Sequence, residues 1–258
     1  MMAAAWGALA WQIYHRHLTF SLHSLSGMIY SPLTWGITLL LAGANWWLRI
    51  YKWQQMASTV HPVSFRNAAC QILKTYAWSA VTPFNSGEML AKPVFFPARR
   101  KQLFLTASWE QLSQMTITLI MGLGTLWIHG KELMAALAGV TIIRGMRGKM
   151  FGLALWLSWW RYLIFGTLMV IMLVLHAQIP WSMAWTGVPL YYLGVSLLPV
   201  LSWGEWAVKA NIALLVFPHA PADILLAIVL WLWCWQSLLP MLAGLFLLIR
   251  KQQCGYVD

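Results

Sequence analysis

The sequence PFNSGEMLAK at residues 83–92 recurs in altered form as PVLSWGEWAVK at residues 199–209. Each copy has a proline, a short gap, Gly-Glu, and a lysine four residues after the glutamate. Proline ends an incoming helix because it lacks an N–H and crowds the turn before it, and glycine permits the reversal that follows. Each copy lies between two apolar stretches. The pattern therefore predicts a broken helix at each place, with the outgoing half-helix beginning near Gly-Glu.

The composition narrows the class of protein. Only 9% of the 258 residues are charged, against about 25% in ordinary soluble domains, and 60% are apolar. So few charges cannot cover a soluble fold of this size, which excludes a typical soluble enzyme and a disordered chain. The net charge is +11, but the basic residues are scattered between apolar runs, which argues against a nucleic-acid interface. A polytopic membrane protein remains.

The apolar runs predict an all-α helix bundle. A membrane-spanning helix takes about 20 residues plus a connection, so roughly eight or nine helical segments fit, and we assign residues 1–258 to one integral membrane domain. The first run is too short to cross a bilayer alone, and we interpret it as a short first helix. The runs lie at residues 3–14, 30–50, 103–128, 132–143, 151–176, 184–199, 205–217 and 223–249.

The basic residues predict how the bundle is oriented, because cytoplasmic loops are enriched in lysine and arginine. One arrangement places eleven basic residues inside and two outside, and leaves four at membrane depth. It requires residues 66–98 and 184–218 each to leave and return on one side. We therefore expect two opposed re-entrant hairpins, as in an inverted repeat with broken helices. The inside set is Arg49, Lys52, Arg66, Arg99, Arg100, Lys101, Arg144, Arg147, Lys149, Arg250 and Lys251.

The two helix breaks are the predicted binding site. The N-terminus of each outgoing half-helix carries a partial positive charge, which suits an anion such as a lipid phosphate. Irregular backbone at this depth is stable only where it is buried or lines a wet cavity, so we expect the hairpin tips to meet around a polar cavity. The candidate substrate-binding residues are Asn85, Ser86, Glu88, Lys92, Glu110, Arg161, Glu205 and Lys209, and the hairpin breaks are Pro83, Gly87, Pro199 and Gly204.

Alternatives stay open for these polar residues. The glutamate–lysine pairs have i,i+4 spacing and could also be ordinary salt bridges near the interface. Arg161 either faces the bundle interior, where it would hold an anionic headgroup or a glutamate, or snorkels to the interface. Glu110 belongs either to the functional site or to helix association.

No HExxH motif, Walker loop or Ser-His-Asp order occurs in the sequence, so we expect no metal, no cofactor and no enzymatic activity. An alternative is an intramembrane lipid-headgroup transferase that uses Glu88, Glu110 or Glu205 as acid or base. A second alternative is a non-transporting scaffold subunit of an envelope complex, and a homodimer is also possible.

The motifs together resemble the transmembrane, flippase-like region of the lysylphosphatidylglycerol synthase family, in a small stand-alone form. The resemblance implies a bacterial inner-membrane protein that binds or flips an anionic or aminoacylated phospholipid or a polyprenyl-linked lipid. Because the aminoacyl-transferase domain of some relatives is absent, we do not expect this chain to synthesise an aminoacyl-lipid. The matching features are Arg49 with Lys52, Thr82 to Glu88, Arg161-Tyr162, Pro199 to Lys209, and Pro240 with Gly244.

Overall fold

The computed structural model describes residues 6–11, 22–79, 82, 86–128, 149–198 and 202–250. Within these ranges the chain is all-helical and has no strand, as the sequence predicts. Residues 6–11 are helical. The ten α-helices that follow are α1 Leu22–Ile29, α2 Pro32–Ser58, α3 Phe65–Ser79, α4 Ser86–Ala91, α5 Arg100–Ile128, α6 Lys149–Ala177, α7 Trp181–Leu197, α8 Ser202–Val216, α9 Ala222–Trp233 and α10 Leu239–Ile249.

Shorter turns connect some of these helices. Two 3₁₀ turns, Lys92–Phe95 and Pro97–Arg99, join α4 to α5. A π-helical turn, Cys234–Leu238, joins α9 to α10 without interrupting the rod. Helices α5 to α10 occupy the predicted apolar runs to within a few residues. The predicted run at 132–143 and most of the run at 3–14 lie outside the described residues.

Helix α2 is longer than the sequence predicts. Ser31 caps it by accepting a hydrogen bond from the Thr34 amide at 3.3 Å, and Pro32 occupies its first turn. The helix then continues past residue 50 to Ser58. Arg49 and Lys52 therefore lie within the helix and not in a loop that follows it. Both residues lie inside the bundle, where Lys52 is 0% exposed, because polar groups of other helices surround them.

Helical structure is interrupted at both predicted places. The helices flanking the first break are α3 and α4, and those flanking the second are α7 and α8. At the first break the Gly87 amide donates to Thr82 Oγ1 at 2.7 Å. A Cβ at Gly87 would lie 2.8 Å from the Trp78 carbonyl oxygen, so glycine is required there. Pro83 and Pro199 lie outside the described residues.

Two apolar cores lie on either side of a polar layer. The larger core joins α6, α7, α8 and α9 around residues such as Leu168, Val188 and Leu226. The smaller joins the end of α2 to α3, the first 3₁₀ turn and the start of α5, around Trp53 and Leu103. On α2 the buried polar residues Asn45 and Lys52 lie between Ala42 of the larger core and Trp53 of the smaller one. Buried polar residues of α5 and α6, such as Glu110, Ser158 and Arg161, belong to neither core.

Two helical rods, Phe151–Ala177 and Ala222–Ile249, are long and apolar enough to cross a membrane. Large apolar side chains also lie on the outside of the bundle, including Leu40, Trp156, Leu215 and Ile249, each more than half exposed. Soluble monomers rarely expose apolar surface on this scale, so the exterior favours an apolar solvent.

Helix α10 packs directly against α3 at Gly244, where a Cβ would collide with the Leu73 carbonyl oxygen. We expect Gly244→Ala to force the two helices apart and to lower the free energy of unfolding by about 1–3 kcal/mol. The control is Gly124→Ala, in which the new Cβ meets open space. Because alanine favours helix more than glycine does, this substitution should raise the free energy of unfolding by up to about 1 kcal/mol. Thermal unfolding of the purified variants measures both, and equal shifts would contradict the packing.

Candidate functional site

A chain of ion pairs crosses the polar layer. Glu88, 3% exposed in the first turn of α4, accepts hydrogen bonds from Arg49 of α2 and from Lys92 at 2.8 Å. Lys92, itself 3% exposed, also pairs with Glu110 of α5. The i,i+4 pair predicted from the sequence is thus the centre of a larger buried network. We refer to Arg49, Lys52, Glu88, Lys92, Glu110 and Arg161 as the buried charge cluster.

Lys52 is held by neutral oxygens. Its ammonium donates to the hydroxyls of Ser113 at 2.9 Å and Ser158 at 2.7 Å, and to the Glu110 carbonyl at 2.9 Å. Both serine hydroxyls also donate to carbonyls of their own helices, those of Glu110 and Ala154. The two hydroxyl oxygens also lie 3.1 Å from each other, so Lys52, Ser113 and Ser158 form one hydrogen-bonded group.

Arg161 lies inside the bundle, but its described hydrogen bond is to a neutral residue and not to one of the glutamates that the sequence suggests as partners. It is 8% exposed, and its Nε donates to the Asn45 side-chain oxygen at 3.2 Å. This partner is neutral, so Arg161 adds its full charge to the cluster. Among the described residues the buried polar atoms without a hydrogen-bond partner include the Arg49 Nε, the Tyr162 hydroxyl and both side-chain atoms of Gln114.

The buried charge cluster contains more positive than negative charge. Arg49, Lys52, Lys92 and Arg161 are cations, whereas Glu88 and Glu110 are its two carboxylates. Ring faces contact some of the cations: the Arg49 guanidinium lies 4.3 Å from the Tyr76 ring centroid, and Lys92 Nζ lies 4.6 Å from that of Trp53. Such contacts stabilise a cation but do not cancel its charge. With each group in its ordinary ionised form, the six side chains sum to two positive charges.

The second copy of the motif has a different environment. Glu205 pairs with Lys209 at 2.7 Å and accepts a hydrogen bond from Trp233 Nε1 at 3.2 Å. These side chains are 20% and 13% exposed, so the pair is less buried than Glu88 and Lys92. Gly204 is buried in the first turn of α8. Within the described part of the chain, no hydrogen bond or ion pair joins the two copies.

Two of the predicted site residues cannot be placed. Asn85 lies outside the described residues, and Ser86 begins α4 without a described side chain. The residues that the prediction of the site missed are Asn45, Arg49 and Lys52 of α2. Their i, i+4, i+7 spacing puts them on one helix face. That spacing in an otherwise apolar run was the available signal.

No protein-family model, curated protein or solved structure matches the chain.

The burial of Glu88 predicts a large response to its neutralisation. Glu88→Gln leaves Arg49 and Lys92 facing an amide, so we expect a loss of about 3–5 kcal/mol in the free energy of unfolding, as for other broken buried pairs. Adding Arg49→Gln should recover part of the loss, because it removes one uncompensated cation.

Glu205→Gln is the matched control, because it changes the same i,i+4 motif at a more exposed position and should cost less. Chemical or thermal unfolding of the three variants and the wild type measures the difference. Equal losses for Glu88→Gln and Glu205→Gln would show that burial of the cluster does not govern stability.

Proposed function

We propose that the chain is a multi-pass protein of the bacterial inner membrane that binds a lipid with an anionic headgroup, and moves it between leaflets. The headgroup site is the buried charge cluster. The lipid class is a phospholipid, aminoacylated or not, or a polyprenyl-linked lipid, all of which carry a phosphate. The lysylphosphatidylglycerol synthase resemblance, a proposal in its own right, agrees with this class.

The observation that carries the proposal is the sum of two positive charges over the six side chains of the buried charge cluster. Charges in a low-dielectric interior are costly unless they are compensated, so the two cations whose described contacts are neutral, Lys52 and Arg161, favour binding of an anion. A phosphodiester supplies one negative charge, and its oxygens accept from several donors at once. Arginine is the side chain best suited to such bidentate contacts, and the cluster has two of them, Arg49 and Arg161.

The membrane placement has separate support. Two rods are long enough to span, and large apolar side chains cover the outside of the bundle. In the proposal, residues 66–98 and 184–218 form the opposed re-entrant hairpins. The helix breaks before α4 and α8 agree with that arrangement, because broken helices are typical of substrate sites at the membrane midplane.

The contacts favour binding over enzymatic chemistry. Lys52 with Ser113 and Ser158 has the composition of a lysine-activated nucleophile. Here, however, each hydroxyl also contacts a backbone carbonyl of its own helix, an acceptor that competes with the lysine for the serine proton. A lysine that acts as a general base would have to accept the serine proton instead. In the proposal, the hydrogen bonds of these three residues link α2, α5 and α6.

The test uses Arg161, whose one described hydrogen bond is to a neutral partner, so that its neutralisation breaks no ion pair. We expect the wild type to retain dioleoyl phosphatidylglycerol in preference to dioleoyl phosphatidylcholine in native mass spectrometry. Arg161→Gln should weaken phosphatidylglycerol binding about 10- to 100-fold, because a charge-assisted hydrogen bond contributes about 1.5–3 kcal/mol. Arg100→Gln is the control, since it removes the same charge at an exposed position.

Transport is measured separately, as the loss of fluorescence when dithionite reduces labelled phosphatidylglycerol in proteoliposomes. Without flipping, dithionite reduces only the label in the outer leaflet, which is about half of the total. Loss of more than half of the fluorescence with the wild type, but not with Arg161→Gln, would support flipping. Binding without this further loss would restrict the function to lipid binding. Equal retention of the two lipids by the wild type, or equal binding by Arg161→Gln and Arg100→Gln, would refute the headgroup site.

A further inference from the structure

An apolar groove of about 360 Å³ lies between α2 and the α9–α10 rod. Gly43, Trp46 and Ile50 form one wall, Leu239 and Pro240 form the other, and Leu73 of α3 contributes between them. The lining is almost entirely carbon. This volume falls within the range of about 300–1,000 Å³ that is typical of small-molecule sites.

One end of the groove adjoins the buried charge cluster. Trp46 lines the groove, and the Arg49 guanidinium lies 5.2 Å from its ring centroid. On α3, Leu73 lines the groove, and Tyr76 one turn later contacts both Trp46 and Arg49, with ring centroids of Trp46 and Tyr76 5.2 Å apart. On α2 and on α3, a residue that lines the groove is thus followed one turn later by a residue that belongs to the cluster or contacts it. A ligand that fills both places is apolar at one end and anionic at the other.

The groove also has a defined cause in the sequence. Pro240 has no N–H, so the carbonyl of Gln236 one turn earlier loses its helical partner. The Tyr76 hydroxyl donates to that carbonyl at 3.4 Å, and the π-helical turn Cys234–Leu238 lies at this point. π-Helical turns are often found at functional sites. The same tyrosine therefore touches the groove wall and the cation of the headgroup site.

We propose that this groove seats one acyl chain of the lipid whose headgroup binds to the buried charge cluster. The inference rests on the proposed function and adds where the chain lies. The occupant is a lipid chain because the groove lining is apolar and one lining residue, Trp46, contacts Arg49 of the cluster. We place the ester groups of the lipid beside Trp46. Its buried indole Nε1–H has no hydrogen-bond partner among the described residues.

Gly43 allows the groove to be filled without disturbing the helices. It lines the groove, and a Cβ built on it meets no atom within 4 Å. Gly36, seven residues earlier on the same helix, also faces open space but does not line the groove. Gly43→Phe and Gly36→Phe are therefore matched variants, and equal apparent Tm values establish that both fold alike.

The probes are dioleoyl and dihexanoyl phosphatidylglycerol, which share a headgroup and differ in chain length. Their apparent dissociation constants are measured with purified protein in micelles by native mass spectrometry. We expect Gly43→Phe to weaken dioleoyl binding at least about fivefold, a change of about 1 kcal/mol, and to leave dihexanoyl binding within about twofold. Gly36→Phe should change neither, and Arg161→Gln should weaken both.

The outcomes separate the two proposals. If Arg161→Gln weakens both lipids while Gly43→Phe behaves like Gly36→Phe, the headgroup site stands and the groove is overturned. If Gly43→Phe weakens both lipids equally, the substitution acts on the headgroup and the groove is also overturned. If Arg161→Gln leaves both unchanged, the proposed function itself fails. Dimerisation lost only in Gly43→Phe would assign the groove to a second copy of the chain and overturn the lipid.

Discussion

The rest of the structure depends on one constraint. The six ionic side chains of the buried charge cluster lie in the middle of the bundle. A charge in such an interior costs several kcal/mol unless it is compensated, and each of the six contacts either an opposite charge or a neutral hydrogen-bonding group. The partners come from different helices: Glu88 joins α2 to α4, Lys92 joins the first 3₁₀ turn to α5, and Lys52 joins α2 to α5 and α6. The polar layer therefore links α2, α4, α5, α6 and the first 3₁₀ turn through their buried charges.

Helix α2 organises this layer because its buried face is polar along most of its length. Near its start, Thr34 contacts His176, and Thr38 accepts a hydrogen bond from Trp231. Further along, Asn45 accepts a hydrogen bond from Arg161. Arg49 and Lys52 then belong to the buried charge cluster. These residues recur at steps of three or four, or their sum, which keeps them on one side of the helix. The opposite side carries exposed Leu40 and Trp47. A helix that is apolar outside and polar inside fits an apolar surrounding better than water.

The sequence predicted the helices well and the site only in part. Length, apolar runs and proline positions act locally, so α5, α6 and the Ala222–Ile249 rod lie where they were expected. The i,i+4 pair of Glu88 and Lys92 is also local, and it forms. The partners Arg49, Glu110 and Asn45 are far away in sequence, and pairing across helices depends on packing that one sequence does not display. Lys52 shows why the distribution of basic residues did not predict the site. A lysine near the end of an apolar run is typical of a membrane surface. Here, however, the helix continues past the lysine, and the side chain is buried.

The two copies of the motif show what burial adds to an identical local pattern. Glu205 has one cationic partner and an indole, and its pair retains some contact with solvent. Glu88 has two cationic partners and almost none. In the proposed function an incoming phosphate competes with Glu88 for Arg49. The faces of Tyr76 and Trp46 lie within 4.3 and 5.2 Å of the guanidinium and hold it in place while its anion changes. Glu88 also contacts Lys92 at 2.8 Å, so in this proposal the carboxylate keeps a cationic partner when the phosphate binds to Arg49.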